Sequence, residues 1–292
     1  MPIQIDNPYL SNVHTWLRGN LHTHTINSDG EGSPHTVIEK YISLSYDFIA
    51  ITDHDYFTHP KELPNSSLTL LPRVEVTERG PHLLAIGNEN QPLPDTDRQK
   101  TVNAILASQG LAIFCHPNWE EHFNHCPQAI LEQTRNYSGI EIVNGVCCVL
   151  PGSGYALDRW DRLLGRGIKV WGFANDDTHK LSLAGKAWNM VQSDTACTQD
   201  IISALRAGRF YASTGVWIQS IEVSGLEITI RTENADRIVA YGDYQRQLAE
   251  IEAAEMTFLI AENCDYTYVR FECLGCGGKC AWTQPFFVNY VA

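Results

Sequence analysis

Histidine and carboxylate residues recur next to apolar, strand-like segments in the first 180 residues of this 292-residue chain. His22 and His24 are two positions apart, so in a strand their imidazoles would point to the same side. Asp29 follows them in a Ser-Asp-Gly turn that could bring it back towards the same point. Imidazole and carboxylate groups that converge in this way can bind a divalent metal ion. Alone, a His-x-His pair is more often a surface or packed pair than a metal site.

Four more segments place metal-binding side chains at or near the ends of apolar runs. His54 stands in an Asp-His-Asp sequence after one such run, and Glu75 lies near the end of the next. Taken singly, each of these residues could be a loop cap or a packed core residue. Five of the seven predicted strands end in such a residue, however, and this recurrence favours a shared site. The candidate metal ligands are His22, His24, Asp29, His54, Glu75, His82, His116, Asp177 and His179.

The composition of this set predicts a cluster of metal ions. Six neutral imidazoles and three carboxylates suit two or three borderline divalent ions such as Zn²⁺ or Mn²⁺. Three such ions would bring about +6 of charge against −3 from the carboxylates, which leaves a positive centre. A positive centre attracts a phosphate group, and it lowers the pKa of a bridging water towards about 7. The residues therefore predict hydrolysis of a phosphate ester.

The elements that must position these residues follow from the apolar runs and turn residues, which alternate up to about residue 215. The predicted strands are 19–23, 48–52, 69–76, 111–115, 140–143, 168–173 and 187–191, and the run 81–87 is a further strand candidate. The predicted helices are 34–45, 101–109, 128–135 and 154–164. This alternation is typical of a parallel α/β sheet or barrel, and seven strands are one fewer than in the common eight-stranded barrel.

The pattern changes after a predicted helix at 200–207. Six short strand-like runs follow between 216 and 291 without helices between them. This succession is typical of a small antiparallel β structure. We therefore expect an α/β domain at 1–215, which carries the metal site, and a β-rich domain at 216–292.

Composition excludes several classes of protein. With 34 acidic and 21 basic residues the net charge is −13, which disfavours an extended nucleic-acid-binding surface. No apolar run approaches the roughly 18 residues that a membrane span needs. The start of the chain lacks the basic and apolar regions of a secretion signal, and nine cysteines in such a chain indicate reduced thiols. We expect a soluble, cytoplasmic protein without membrane contact; its oligomeric state is left open.

The ordered motifs resemble the polymerase and histidinol phosphatase (PHP) family. The resemblance covers 18–215, about two thirds of the chain. The matching residues are Leu21-His22-Thr23-His24-Thr25, Ser28-Asp29-Gly30, Ile51-Thr52-Asp53-His54, Glu75, His82, His116-Pro117 and Asp177-Thr178-His179. The resemblance implies a distorted (β/α)7 barrel, with up to three metal ions at the mouth formed by the carboxyl ends of the strands. The expected cofactors are two or three divalent ions, Zn, Mn or Fe.

The resemblance also implies roles for individual residues. By it, the first ion is held by His22, His24, Glu75 and Asp177, the second by Glu75, His82 and His116, and the third by Asp29, His54 and His179. Many members of the family have a histidine where this chain has Asp29. Asp53 resembles a partner that orients the neighbouring ligands, with proton transfer as an alternative role. Arg18 is a candidate for contact with the substrate phosphate, with an ordinary surface salt bridge as the alternative.

The implied function is that of a phosphoesterase acting on a small phosphorylated metabolite, with a nucleotide as one candidate. In such an enzyme a metal-bridging hydroxide attacks phosphorus. The segment 202–215 is similar to one in stand-alone PHP phosphoesterases. Two alternatives remain: hydrolysis of a carboxylic or carbamate ester, and a non-catalytic metal-binding scaffold or regulatory domain.

The sequence also indicates the loops that determine specificity and a group of cysteines near its end. We expect three loops at the mouth, 57–67, 119–126 and 144–153, to determine specificity. Cys273, Cys276 and Cys280, with Cys264 upstream, have a spacing unlike that of a standard zinc ribbon. The intervening glycine-rich sequence predicts a hairpin turn, and whether these cysteines bind anything is left open.

Overall fold

Strands dominate the computed structural model, which describes residues 3–58, 60–63 and 66–290. The described α-helices are α1 (Pro34–Ser43), α2 (Arg98–Ala107), α3 (Gln128–Gln133), α4 (Leu157–Leu164) and α5 (Thr198–Arg206). The described strands are β1 (Ile3–Asp6), β2 (Trp16–Asn20), β3 (Phe48–Ile49), β4 (Thr69–Leu70), β5 (Arg73–Val76), β6 (Leu83–Ile86), β7 (Leu111–Phe114), β8 (Gly139–Asn144), β9 (Trp171–Asn175), β10 (Trp188–Gln192), β11 (Phe210–Ser213), β12 (Ile218–Ser224), β13 (Glu227–Thr232), β14 (Ala235–Gly242), β15 (Arg246–Ile251), β16 (Glu255–Leu259), β17 (Tyr268–Gly275), β18 (Cys280–Thr283) and β19 (Phe286–Tyr290). The chain is thus a mixed α/β protein with many strands and few helices. Among the described residues, no helix is long and apolar enough to cross a membrane.

The expected parallel arrangement holds for only part of the sheets. β2, β3 and β4 are parallel neighbours, as are β7, β8 and β9. In contrast, β5, β6 and β7 pair antiparallel, and β10 is antiparallel to both β2 and β11. Only 77–82 connect β5 to β6, and so short a connection cannot make the crossover that parallel pairing requires. The prediction of a parallel sheet was therefore wrong for these strands.

One predicted strand, 69–76, is broken in two. Its first part, β4, pairs with β3, whereas its second part, β5, pairs with β6 in a different sheet. Pro72 lies at the break, where it has no N–H to donate to a ladder. This break moves Glu75 from the sheet of β2 and β3 into the five-stranded sheet β5–β9.

A second break between the sheets lies between β9 and β10, which are not paired through their backbones. The Asn189 side chain bridges it, since its Nδ2 donates to the Ala174 carbonyl at 2.8 Å and its Oδ1 accepts from the Ala174 N–H at 3.0 Å. A side-chain amide thus replaces backbone pairing between the two strands. Because the described strands do not close into one hydrogen-bonded ring, a seven-stranded barrel is not confirmed.

Five of the described strands after residue 215, namely β14, β15, β17, β18 and β19, join the sheet that holds β2 and β10. β18 pairs with β11, and β19 pairs with β1 at the other end of the chain. β12, β13 and β16 form a separate three-stranded sheet. The division at 215 stays a prediction, and 291–292 lie outside the described residues. The expected hairpin is confirmed, because β17 and β18 pair across a short 3-10 helix at Cys276–Gly278.

Helix α1 begins as its sequence predicts and connects the core to the strand ends. The Ser33 side chain caps the helix by accepting the Thr36 N–H at 3.2 Å, and a proline stands at its first turn. The helix buries Tyr41, whose hydroxyl donates to Asp176 at 2.9 Å and contacts the hydroxyl of Thr178 at 2.8 Å. Tyr41 thereby fixes the segment after β9, which carries two of the candidate ligands.

Candidate metal centre

The segments that follow the strands hold the candidate ligands in register through backbone hydrogen bonds. The His24 N–H donates to Thr178 and the Asp177 N–H donates to His22, both at 3.0 Å, so the segments after β2 and β9 run side by side. On the other sheet, the Cys115 N–H donates to the His82 carbonyl at 3.0 Å. The ligands are therefore placed by extensions of the sheets rather than by mobile side chains alone.

The structure brings all nine predicted ligands together, and Glu75 lies among most of the imidazoles. The Glu75 side chain is fully buried. Its Oε2 lies 2.8 Å from Nδ1 of His54, and its Oε1 lies 2.9 Å from Nδ1 of His82. Five imidazoles have a nitrogen within 3.6 Å of one of its oxygens: His22, His24, His54, His82 and His116. One carboxylate with neighbours on both oxygens is suited to bridge two ions.

Asp177 and Asp29 supply the other two carboxylates. Oδ1 of Asp177 lies 3.0 Å from Nε2 of His24 and 3.2 Å from Nε2 of His22. Oδ2 of Asp29 lies 3.2 Å from Nε2 of His179, and it faces His54 at 3.5 Å. Asp29 is the more exposed of the two, so the group around it forms the outer part of the cluster.

Several atoms in this cluster lie close together without forming hydrogen bonds. Among the described residues, six buried atoms of the candidate ligands have no hydrogen-bond partner: Nε2 of His22, Nε2 of His24, Nδ1 of His54, Oε2 of Glu75, Nδ1 of His116 and Oδ1 of Asp177. A buried polar atom without a partner is costly unless something else satisfies it. Donor atoms within 4.8 Å of one another form the groups His22–His24–Asp177, His54–Glu75–His82 and His24–Asp29–His54–His179. Convergent, unpartnered imidazole and carboxylate atoms are what divalent Zn, Mn or Fe requires, so the residues fit such ions.

The charges of the cluster are coupled. Burial alone would lower the pKa of His22, but the carboxylates of Asp177, Glu141 and Glu75 raise it well above its ordinary value. Burial would likewise lower the pKa of His54, but the carboxylates of Asp29 and Glu75 raise it to about 10. Without metal, protons on His22 and His54 therefore balance part of the carboxylate charge, and bound cations would replace those protons.

Two of the candidate ligands have a positive φ, which residues other than glycine rarely adopt. His116 has a φ of 26° and Asp177 a φ of 53°. Such conformations persist only where the surroundings enforce them, and they concentrate at functional sites. Gly30 is constrained too, because a Cβ there would lie 2.5 Å from the carbonyl carbon of His24.

Asp53 holds the loop that carries Asp29. It is fully buried and accepts from the Thr25 N–H at 2.7 Å, the Thr25 hydroxyl at 2.8 Å and the Ser28 hydroxyl at 2.8 Å. Both of its oxygens are engaged in this way. These contacts fit a residue that orients its neighbours; a part in proton transfer stays a prediction.

Arg18 is not brought to the cluster. Its guanidinium lies 3.8 Å from the ring centroid of Trp188 and 4.1 Å from that of Tyr46, and it donates to the Leu44 carbonyl at 3.0 Å. These contacts hold the side chain by cation–π attraction and a backbone hydrogen bond. Arg18 also does not line the cavity above the candidate ligands. Neither phosphate contact nor a surface salt bridge is supported by these contacts.

Sequence reasoning missed Glu141, a buried carboxylate within β8. Its Oε1 lies 2.8 Å from Nδ1 of His22 and accepts from Asn175, while its Oε2 accepts from the His116 N–H at 2.9 Å and from Asn144. Asn144 also donates to Asp177 at 3.1 Å. The signal was a single acidic residue inside an apolar run, a pattern that usually marks the solvent face of a strand.

His125 is a second residue that was missed. Its Nε2 accepts the His82 N–H at 3.1 Å, and its Nδ1 lies 3.0 Å from Glu120. Burial, together with the nearby His116 and His82, lowers the pKa of His125 to about 4. The imidazole is therefore neutral, with its proton on Nδ1, and it fixes the backbone at His82.

A cavity of about 450 Å³ opens above the candidate ligands. Its lining comprises Asp29, His54, His82, His116, Trp119, Val146, Cys147, Val149, Leu150, Asp177, His179, Lys180 and Leu183. Two of the predicted mouth loops, 119–126 and 144–153, contribute to it as expected. The third, 57–67, contributes none of these residues, and its positions 59, 64 and 65 lie outside the described residues. Among the described residues, the four cysteines from Cys264 to Cys280 join none of the groups that could hold a metal.

Comparison with known proteins supports the fold. No family model and no curated protein matches the chain. A two-domain protein from Bacteroides vulgatus, described as containing a predicted PHP-like metal-dependent phosphoesterase, superposes with a TM-score of 0.56 at 16% identity, over 100% of this chain and 98% of that one. The chain has a PHP-like fold. The resemblance to PHP proteins is thus confirmed at the level of the fold. A sequence identity of 16% shows the fold alone.

Two other solved structures are similar over part of the chain. PsfC from Pseudomonas syringae has a TM-score of 0.48 at 13% identity, covering 65% of this chain and 89% of that one. A lesion-specific endonuclease from Pyrococcus furiosus has a TM-score of 0.45 at 13% identity, covering 66% and 56% of the two chains. At these scores the assignment of the PHP-like fold rests on the full-length match alone.

Proposed function

We propose that this protein is a metal-dependent phosphoesterase that hydrolyses a small phosphorylated metabolite. The observation that carries the proposal is the convergence of nine imidazole and carboxylate side chains, several with unpartnered buried atoms, at the base of a cavity. The PHP-like fold is consistent with it. A distorted (β/α)7 barrel, with the activity in 1–215 and a β-rich domain at 216–292, remains part of the proposal.

Two or three divalent ions, Zn, Mn or Fe, would occupy this centre. The residues that would hold them are His22, His24, Glu75 and Asp177 for the first, Glu75, His82 and His116 for the second, and Asp29, His54 and His179 for the third. When bound, such ions would neutralise phosphoryl oxygens and make a water acidic enough to attack phosphorus near neutral pH. The proximity of His24 to the third group ties the first and third positions together.

The residues of the chain would keep the centre aligned and dry. Glu141 fixes the ring of His22 so that Nε2 faces the cluster, and His125 fixes the backbone at His82. Burial of His22 and Glu75 removes competing water from the inner part of the site. Hydrogen bonds that Asp53 accepts from Thr25 and Ser28 hold the loop that carries Asp29.

Charge and size favour a small anionic substrate. Apart from the candidate ligands, Lys180 is the one charged residue among the described residues that line the cavity, and it is a cation. A cavity of about 450 Å³ suits a molecule of metabolite size. The net charge of −13 opposes binding along a nucleic-acid backbone.

Metal analysis and a substrate survey test the proposal. We expect protein purified without chelator to bind at least one divalent ion per chain and, in Mn²⁺, to hydrolyse 4-nitrophenyl phosphate faster than 4-nitrophenyl acetate or a carbamate ester. A preference for the neutral esters would indicate that the protein hydrolyses carboxylic or carbamate esters rather than phosphate esters. Less than one ion per chain, not restored by Mn²⁺ or Zn²⁺, would instead indicate a non-catalytic scaffold.

A further inference from the structure

We infer that one wall of the cavity is an apolar subsite, and that the substrate is a phosphoric ester of an apolar organic group rather than of a polyhydroxylated sugar. The inference rests on the proposed function, because it takes the candidate metal centre as the place where the phosphate binds. The wall consists of Val146, Cys147, Val149, Leu150 and Leu183. It continues the same cavity that the candidate ligands line.

The wall is fixed to the candidate metal centre by backbone hydrogen bonds. The 3-10 helix Val146–Val149 follows β8 directly. The Val146 N–H donates to the Asp176 carbonyl at 2.9 Å, next to the candidate ligand Asp177. The Cys147 N–H donates to the Asn144 side chain at 3.1 Å. The apolar side chains therefore have a set position relative to the ligands, as a specificity subsite requires.

Two of these side chains expose carbon to solvent at the mouth. Val149 is 64% exposed and Leu150 is 42% exposed. Next to a candidate ligand, Trp119 adds a half-exposed indole, whose ring centroid lies 5.0 Å from that of His116. An apolar ligand group placed here would remove these surfaces from water, which is favourable in proportion to the area covered.

The same lining offers little to a sugar. Apart from the candidate ligands, it contains no serine, threonine, asparagine or glutamine among the described residues; its remaining polar groups are the Lys180 ammonium, the Trp119 indole N–H and the Cys147 thiol. Sugar hydroxyls held against this wall would lose hydrogen bonds to water without replacing them. The lining therefore favours an apolar group over a sugar, both because it offers apolar contacts and because it has few side chains that could bind hydroxyls.

A series of primary alkyl phosphates tests the subsite. Ethyl, butyl and hexyl phosphate and glucose 6-phosphate all release a primary alcohol, so the leaving group changes little along the series. With the Mn²⁺-loaded protein we expect kcat/KM to rise by about tenfold or more from ethyl to hexyl phosphate, and hexyl phosphate to exceed glucose 6-phosphate. A flat series, or a preference for glucose 6-phosphate, would overturn the subsite and leave the phosphoesterase intact.

A binding measurement separates the two proposals. Calorimetry with ethylphosphonate and hexylphosphonate, which are not hydrolysed, reports the subsite independently of turnover. Tighter binding of hexylphosphonate supports the subsite, and equal affinities contradict it. If the phosphoesterase proposal itself were wrong, the metal-loaded protein would hydrolyse none of the phosphates.

Substitutions in the wall test whether it causes the preference for longer alkyl chains. Val149→Ser combined with Leu150→Ser should lower the hexyl-to-ethyl ratio of kcat/KM, and the matching phosphonate affinity ratio, by about threefold or more. Leu259→Ser is the matched control, because Leu259 is 68% exposed in β16 and does not line this cavity. An unchanged ratio in the double variant would assign the chain-length preference to another surface and overturn this subsite.

Discussion

Oε1 of Glu141 lies 2.8 Å from Nδ1 of His22 in the buried interior of the protein. The ionised carboxylate accepts a hydrogen bond from the N–H at that nitrogen, and Nε2 faces Glu75 and Asp177. The other oxygen of Glu141 accepts the backbone N–H of His116. A single carboxylate thus orients two candidate ligands that are 94 positions apart in the sequence.

Replacing this carboxylate should weaken metal binding. We expect Glu141→Gln to lower the affinity for Mn²⁺ or Zn²⁺ by about 10- to 100-fold, because the amide keeps the shape but removes an acceptor and the charge. Competition with a chromophoric chelator measures the affinity. Glu132→Gln removes a carboxylate that pairs with Arg162 and Arg166 on the surface, and it serves as the control. Equal affinities of the two variants would show that Glu141 does not support the centre.

His116 should be needed for turnover and dispensable for folding. It is a candidate ligand with a strained backbone, and its ring contributes little to the apolar core. We expect His116→Ala to lower kcat by about three orders of magnitude with a small change in melting temperature. His122→Ala, at an exposed position in the same loop region, should behave as wild type. Wild-type turnover in His116→Ala would remove this residue from the site.

The sequence predicted residues at strand ends better than residues within strands. His22 and His24 are recognisable because side chains two apart share a side of a strand, and Asp177 and His179 repeat that spacing. Glu141 has the same importance in the structure, yet one acidic residue in an apolar run gives the same pattern as an ordinary half-exposed strand. Its burial depends on β8 lying between β7 and β9, which is a property of the assembled sheet.

The strand order was harder to predict than the positions of the strands. Pro72 divides one apolar run between two sheets, and run length alone cannot show which partner each half selects. His125 was also out of reach, because its contact with His82 depends on the path of a loop rather than on spacing. The surroundings of Arg18 could not be predicted for a related reason, since Trp188, which packs against its guanidinium, is distant in the chain.

Metal binding should release protons. The carboxylates of Asp29 and Glu75 outweigh the effect of burial and raise the pKa of His54 to about 10 in the metal-free protein. At pH 8 this imidazole therefore holds a proton that a metal ion must displace. We expect the calorimetric enthalpy of Mn²⁺ binding at pH 8 to differ between buffers of different ionisation enthalpy. His54→Gln should reduce that difference. The same enthalpy in every buffer would contradict a protonated His54.

The same pKa change predicts how the stability of the metal-free protein depends on pH. His54 binds its proton more tightly when folded, so its contribution to stability is complete below about pH 6.5, the ordinary histidine pKa, and is lost as the pH rises towards 10. With chelator present, we expect the melting temperature to fall across this interval, and to fall less in His54→Gln. A wild-type protein whose decline matches that of the variant would show that His54 does not carry this effect.

Lys180 should assist capture of the anionic substrate rather than the chemical step. It lies at the rim of the cavity, exposed, and among the described residues it forms no ion pair. We expect Lys180→Met to raise KM for a phosphate ester by about three- to tenfold with little change in kcat, because attraction at the rim acts on the bound substrate and the transition state alike. The increase should shrink at high salt, where exposed charges are screened. Lys186→Met, an exposed lysine outside the cavity lining, is the control; a loss of kcat in Lys180→Met with KM unchanged would place Lys180 in the chemical step instead.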